Sequence, residues 1–135
     1  MEIRKASLSD YTKIVRSIQN KRIAYITPSH VREDIAMNRQ YIMTDNGRIV
    51  AMISLVWDSE YGYYAMKRLC IPNKRNSGKG FAQMMVKYIC SSVQGKVGCT
   101  PWSSNTPMRH LLEKQGFMLE YIFSEKWCFY SKYTH

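Results

Sequence analysis

The sequence predicts an α+β fold: a central mixed, mostly antiparallel sheet flanked by helices, in the order β-α-α-β-β-β-α-β-α-β-β. Three observations carry this. Apolar runs of strand length, such as RIVAMISLVWD (48–58), lie between turn signals, whereas FAQMMVKYICSSV (81–93) repeats its apolar residues at helical spacing. Turn-forming stretches separate the runs: Asp45-Asn46-Gly47, DSEYG (58–62) and RNSGKG (75–80). With 45% apolar or aromatic residues in 135, the chain can bury one sizeable core, so residues 1–135 are expected to form a single domain.

Each element has a local reason. EIRKA (2–6) alternates apolar and polar residues as a first strand. Ser7 or Ser9 can cap a helix through YTKIVRSIQ, where Tyr11, Ile14, Val15 and Ile18 share a face. NKRIAYITPS (20–29) breaks the pattern. Pro28 then suits the first turn of a second helix, expected to run to about Arg39. RQYIMT (39–44), RIVAMISLVWD and YYAMKRLCI (63–71) read as a three-stranded antiparallel meander, since Asn46 and Gly47 accept positive φ at the first turn. In the next helix Ala82, Met85, Val86, Ile89 and Val93 form the buried face, with the methionines as core filler. KVGCTPW (96–102) is a short strand. Asn105 or Thr106 caps a last helix, with Pro107 in its first turn and Gly116 at its end. The aromatic-rich FMLEYIF (117–123) and KWCFYSKY (126–133) complete the sheet.

No apolar run approaches the roughly 20 residues that a membrane-spanning helix needs. The start, MEIRKASLSD, has no apolar signal core, which points to a cytoplasmic protein without a membrane partner. Cys70, Cys90, Cys99 and Cys128 show no CxxC spacing and are expected as free thiols. His30, His110 and His135 show no ligand spacing, so no metal is expected. The net charge is +10, and its distribution is lopsided: Tyr61 to Leu112 holds eight Lys or Arg and no Asp or Glu. Such a stretch is either a solvated basic face or a surface for an anion, whether a phosphate ligand or a nucleic acid.

RNSGKG is the most informative stretch. It lies between a strand and a helix N-terminus, where backbone N–H groups lack intrahelical partners and a partial positive charge builds up. Gly78 and Gly80 allow close approach to the backbone, and Arg75 and Lys79 add charge. This is the physics of a phosphate cradle, although a plain strand-to-helix turn would look the same. The spacing fits neither a P-loop nor a dinucleotide fingerprint.

Three pieces occur in order: Cys70-Ile71-Pro72, then RNSGKG, then NTPMRHLLEKQGF (105–117). Together they resemble the GNAT superfamily of acyl-CoA-dependent N-acyltransferases, in which V-x-P, [RQ]-x-x-G-x-[GA] and N-x-x-A-x-x-L-Y-x-K-x-G-F follow one another. The element order matches over the whole chain. The resemblance implies an enzyme that moves an acyl group, acetyl in the first instance, from acetyl-CoA to an amine by direct attack in a ternary complex. The coenzyme A pyrophosphate would rest on backbone N–H groups of Arg75, Asn76, Ser77, Gly78, Lys79 and Gly80. The pantetheine arm would pair with the backbone near Cys70 and Pro72, where neighbouring strands splay and one N–H polarises the thioester carbonyl. Asn105 would lie beside the pantetheine, or serve only as the helix cap.

The chain departs from the pattern twice. The family's general acid, a tyrosine seven residues after the asparagine, is here Leu112, which has no proton to give. Ser103, Ser104, Tyr64 and Tyr130 are the candidate substitutes. The strand before the loop carries Lys67 and Arg68 where the family often has a glutamate base, with Asp58 and Glu60 the nearest acids. Unless those cations point outward, they favour an anionic or neutral acceptor: a nucleotide, a nucleic acid, an acidic metabolite or an amine flanked by phosphate. Cys70 with His110 could be read as a nucleophile pair, against the plainer reading of a buried cysteine and a surface histidine. Trp102, Trp127, Tyr61, Tyr63 and Tyr64 are stacking platforms or core. The alternatives to a small-molecule acetyltransferase are a nucleic-acid- or tRNA-modifying enzyme on the same scaffold, and an inactive nucleic-acid-binding or regulatory module. The terminal strands fit a monomer or a homodimer.

Overall fold

The structure, a computed structural model, describes residues 1–19 and 25–135. The first half of the expected break at NKRIAYITPS, residues 20–24, therefore lies outside the described residues. The elements are β1 (Glu2–Lys5), α1 (Tyr11–Gln19), α2 (Pro28–Ala36), β2 (Gln40–Asp45), β3 (Arg48–Asp58), β4 (Tyr63–Cys70), α3 (Phe81–Ser92), β5 (Gly95–Cys99), α4 (Thr106–Lys114), β6 (Met118–Phe123) and β7 (Trp127–Thr134). Their order is the expected one, and the seven strands form a mixed sheet in the order β1-β2-β3-β4-β5-β7-β6. The chain divides into two compact units, residues 1–55 with 68–85 and residues 56–67 with 86–135.

In the first unit β1, β2 and β3 pair antiparallel in sequence order. Asn46 (φ +51°) and Gly47 (φ +75°) form the tight turn between β2 and β3. α1 buries Ile14 and Ile18, and α2 buries Val31 and Ile35, in one cluster with Ile42, Ile49, Met52 and Cys70. This is the outcome of placing apolar residues three or four apart on a short helix. Ser7 rather than Ser9 opens the α1 region: its N–H donates to Asp10 Oδ2 at 2.8 Å. Arg4 grips the same carboxylate through two bonds, of 2.8 and 2.9 Å. That pairing holds the Asp10 carboxyl well below the usual carboxylate range. α2 is capped by Thr27, whose Oγ1 accepts from the His30 N–H at 3.2 Å. It ends at Ala36, short of Arg39, because Asn38 takes φ +57° and turns the chain into β2.

In the second unit β4 and β5 run parallel, pairing Tyr64, Ala65 and Met66 with Val97, Gly98 and Cys99. β5 pairs antiparallel with β7, and β7 with β6. β5 is shorter than KVGCTPW implies. It stops at Cys99, and Trp102 makes only an isolated bridge to Trp127, with the two rings stacked at 4.2 Å. A Cβ on Gly98 would lie 2.7 Å from the Phe129 ring and 2.8 Å from that of Tyr63. The bare backbone thus lets those two rings meet edge to face at 5.2 Å across β5. Gly116 (φ +87°) ends α4 as expected.

Candidate functional site

In the first unit the chain leaves β4 at Cys70, passes the buried Pro72 and folds Asn73–Ser77 into a compact turn. Asn73 organises it: Oδ1 accepts from the Arg75 N–H at 3.0 Å, and its carbonyl accepts from the Asn76 N–H at 2.8 Å. Lys79 Nζ donates to Asn76 Oδ1 at 3.3 Å. Gly78 (φ +79°) and Gly80 (φ +82°) occupy left-handed backbone, with nothing within 4 Å of where a Cβ would stand. Glycine is needed here for its dihedral angles and not for lack of space. Arg75, Ser77, Gly78, Lys79 and Gly80 are exposed, Asn76 is half-buried, and α3 begins at Phe81. The leading N–H groups of a twelve-residue helix, ahead of Met84, whose N–H already donates to the Gly80 carbonyl at 3.0 Å, thus emerge beside an open, cationic loop.

A cleft of about 380 Å³ adjoins this loop, lined by Asn73, Arg75 and Asn76 from the turn and by Asp45, Asn46, Arg48 and Val50 from the β2–β3 hairpin. Its two guanidinium groups and three amide side chains can hold polar and anionic groups. The hairpin's share was not legible in the sequence, because nothing local links residues 45–50 to residues 73–76.

The first unit also holds a buried polar network. Asp34 on α2 is 2% exposed. It receives Arg68 Nη2 at 2.6 Å and the Ser54 hydroxyl at 2.6 Å, with Arg39 Nη1 at 3.9 Å from its other oxygen. Gln40 extends the network by donating to the carbonyls of Tyr41 and Ile53. Arg68 adopts φ +54°, a conformation that costs a residue with a side chain roughly 1–2 kcal/mol. Lys67 is exposed, whereas the Arg68 charge is met by Asp34. The expectation of two unopposed cations on β4 therefore holds only for Lys67. Burial pushes the Cys70 thiol up to about 11, so it remains a neutral thiol near pH 7. His110 lies exposed on α4, in the other unit. Each residue taken by itself matches the plainer reading, a buried cysteine and a surface histidine.

The remaining candidates lie in the second unit. Asn105 is the cap of α4, its Oδ1 accepting from the Met108 N–H at 3.2 Å. Leu112 is fully buried. Tyr130 is also fully buried, and its hydroxyl accepts from Arg109 Nε at 3.0 Å and donates to Glu113 Oε2 at 2.8 Å. Burial raises its pKa above the ordinary value. Arg109 also donates to the Ser103 carbonyl at 3.0 Å. Among the described residues the buried Ser103 hydroxyl has no partner. Ser104 is exposed, and Tyr64 is half-buried with its ring 4.7 Å from that of Trp57. All four cysteines are free. Among the described residues no group of three or more His, Cys, Asp or Glu could hold a metal ion, and no helix is long and apolar enough to cross a membrane.

A strand followed by a buried proline, a loop with two left-handed glycines, a helix N-terminus and a capped α4 follow one another in this chain. Residues 8–117 match the family model described as Acetyltransferase (GNAT) family. The chain belongs to the GNAT acetyltransferase family. Solved structures share the fold of this GNAT chain. A GNAT-family acetyltransferase from Streptococcus agalactiae 2603 is 17% identical with a TM-score of 0.84, the match covering 99% of this chain and 95% of that one. One from Bacillus cereus ATCC 10987 is 17% identical with a TM-score of 0.82, covering 99% and 97%. The ribosomal-protein-S18-alanine N-acetyltransferase from Escherichia coli is 10% identical with a TM-score of 0.79, covering 96% and 91%. No curated protein sequence matches the chain.

Proposed function

We propose that this GNAT chain transfers an acetyl group from acetyl-CoA to an amine by direct attack within a ternary complex. One observation carries the reading: the exposed Arg75–Gly80 loop, with Gly78 and Gly80 in left-handed backbone, opens onto the N-terminus of α3. The pyrophosphate of coenzyme A is the group such a loop suits, and the adjoining cleft adds Arg48 to the cations of the loop. In this account Cys70 and Pro72 contribute backbone along the pantetheine arm, and Asn105 contributes its exposed side of the α4 cap. The amine nitrogen bonds to the thioester carbonyl carbon, the C–S bond breaks, and the amine gives up a proton as the sulfur gains one.

The proton donor is not Leu112. Tyr130 has its hydroxyl proton engaged by Glu113, which leaves Ser103, Ser104 and Tyr64 as the freer of the four hydroxyl candidates. A thiol's ordinary pKa of about 8.5 makes protonating this leaving group a modest task. The acceptor is an amine borne by a small molecule, a nucleotide or a nucleic acid, on the ground of the uninterrupted basic stretch from Tyr61 to Leu112.

The test is calorimetric titration with acetyl-CoA of the wild type and of Gly78→Trp, which places a large side chain in the loop and forces its left-handed backbone. Micromolar binding that Gly78→Trp abolishes supports the reading; no binding by the folded wild type refutes it. A second reading, an inactive module that binds nucleic acid, is favoured by Leu112 at the family's tyrosine position. It predicts tRNA binding that weakens steeply with salt and no acetyl transfer to any amine.

A further inference from the structure

A hydroxyl that the sequence does not advertise stands in the first unit. Tyr25 belongs to NKRIAYITPS, a stretch that reads only as a break between helices. Its backbone is held from the C-terminal side: Ile26 is 5% exposed and packs in the cluster that contains Cys70, and Thr27 caps α2. The Tyr25 ring is 59% exposed, yet its hydroxyl reaches the end of β4, where it donates to the Leu69 carbonyl at 3.4 Å. The Cys70 thiol stands beside the same oxygen. Burial of the hydroxyl end pushes the phenol up to about 12, and the neighbouring thiol adds to the rise. The contact with Leu69 is longer than the roughly 2.5–3.0 Å of a firm O–H···O bond, so this proton is not committed to the carbonyl. Tyr130, whose hydroxyl lies 2.8 Å from Glu113 Oε2, is the opposite case.

We infer that Tyr25 is a catalytic residue, whose hydroxyl donates a hydrogen bond to the coenzyme A sulfur as the C–S bond breaks. The inference rests on the acetyl-CoA reading above. With the pyrophosphate on Arg75–Gly80 and the pantetheine arm along Pro72 and Cys70, the sulfur end of the arm falls farther back along β4, towards Leu69. That is where the Tyr25 hydroxyl lies. Ser103, Ser104, Tyr64 and Tyr130 all belong to the second unit, whereas Tyr25, Leu69, Cys70 and the loop share the first. A thiolate is a better acceptor than a carbonyl oxygen, because a hydrogen bond to an ionised group is about twice as strong as a neutral one. The hydroxyl therefore exchanges its loose contact with Leu69 for the sulfur. Acidity sets what happens to the proton. A phenol at about 12 does not surrender its proton to the thiolate of a thiol whose ordinary pKa is about 8.5. Tyr25 keeps its proton and stabilises the charge that grows on sulfur. The amine nitrogen forms its bond to the carbonyl carbon, the electron pair of the C–S bond leaves on sulfur, and the proton that neutralises the sulfur is the one the nitrogen sheds. Tyr25 gains and loses nothing over the cycle.

Titrating the thiol of bound coenzyme A reads this bond without any turnover. The signal is the ultraviolet absorbance of the thiolate, taken as the complex less the free protein over a range of pH. A hydrogen bond to a charged acceptor favours that form about 10- to 100-fold, so the bound thiol should titrate about 1–2 units lower in the wild type than in Tyr25→Phe. Arg68, whose charge is met by Asp34, is the same in both proteins, so the difference isolates the hydroxyl. Tyr25→Phe keeps the ring and should keep the wild-type circular dichroism spectrum, because the side chain is exposed and loses only a long contact. Fluorotyrosine at position 25, a stronger donor in the same place, should lower the thiol's pKa further. A bound thiol that titrates alike in the wild type and in Tyr25→Phe overturns the inference and leaves the acetyl-CoA reading standing. A folded wild type that binds no coenzyme A overturns both.

Discussion

Replacing Asp34 by Asn removes one charge and almost no volume from a buried polar network. Asp34 is 2% exposed, and Arg68, Ser54 and Arg39 all converge on its carboxylate. The asparagine oxygen can still accept from Ser54, so the principal loss is the negative charge facing the Arg68 guanidinium at 2.6 Å. Removing one partner of a buried pair costs about 3–5 kcal/mol, because the remaining charge is left without compensation. Arg68 keeps 20% of its side chain in solvent, which places the expectation at the lower end, about 3 kcal/mol. In a chain of this size that is a fall in Tm of roughly 10 °C. Arg68→Met in the Asp34→Asn background should restore most of the loss, since no buried charge then remains. Urea denaturation and thermal melting of the wild type, both single variants and the double variant complete the cycle. A loss below about 1 kcal/mol for Asp34→Asn, or a double variant less stable than Asp34→Asn, would refute the reasoning that this pair is a buried, charge-compensated unit.

Gly98→Ala should cost about 1–3 kcal/mol by overpacking, since a Cβ there meets Phe129 at 2.7 Å and Tyr63 at 2.8 Å; Gly98→Ala combined with Phe129→Leu should recover part of it, and an unchanged melt of Gly98→Ala would show the rings to be free to move. Asp10 titrates well below its ordinary value because Arg4 grips it, so its contribution to stability is complete above about pH 4 and is lost as the pH falls towards the depressed folded value. Asp10→Asn should flatten the acid limb of the pH–stability curve, and an identical limb in the variant would contradict this. Leu112→Tyr should destabilise the chain without adding activity, because the position is fully buried; higher acetyl-transfer turnover with unchanged stability would mean that the site opens to substrate.

Much of the architecture could be read locally. Helix faces, glycine turns and strand-length runs gave the element order, because each depends on residues within a few positions of one another. Helix α2 ended early for a reason that is also local but ambiguous: Asn38 adopts left-handed backbone, which asparagine tolerates without advertising it. β5 ends two residues before Pro101, which has no N–H for the ladder, a signal present within KVGCTPW itself; the stacking of Trp102 on Trp127, 25 positions away in the chain, is what no local pattern announces. The same contrast divides the candidate site. Gly78, Gly80, Arg75 and Lys79 form one continuous loop and were legible together. Arg48, Asp45 and Asn46 reach the cleft only through the β2–β3 hairpin, and the Asp34–Arg68 pair only through the meeting of α2 with β4. Arg68 read as a cation without a counter-charge because its partner, Asp34, lies 34 positions earlier.

The central claim is that the Arg75–Gly80 loop and the first turn of α3 hold the pyrophosphate of coenzyme A. Titrating the isotope-labelled protein with coenzyme A and following backbone amide resonances addresses it atom by atom. The account predicts that the largest shifts fall on the N–H groups from Gly78 to Gln83, because those of Arg75, Asn76, Ser77 and Met84 are already donated within the chain, and that Gly78→Trp removes them. Binding that leaves those amides unmoved, with the shifts gathered elsewhere, would contradict it.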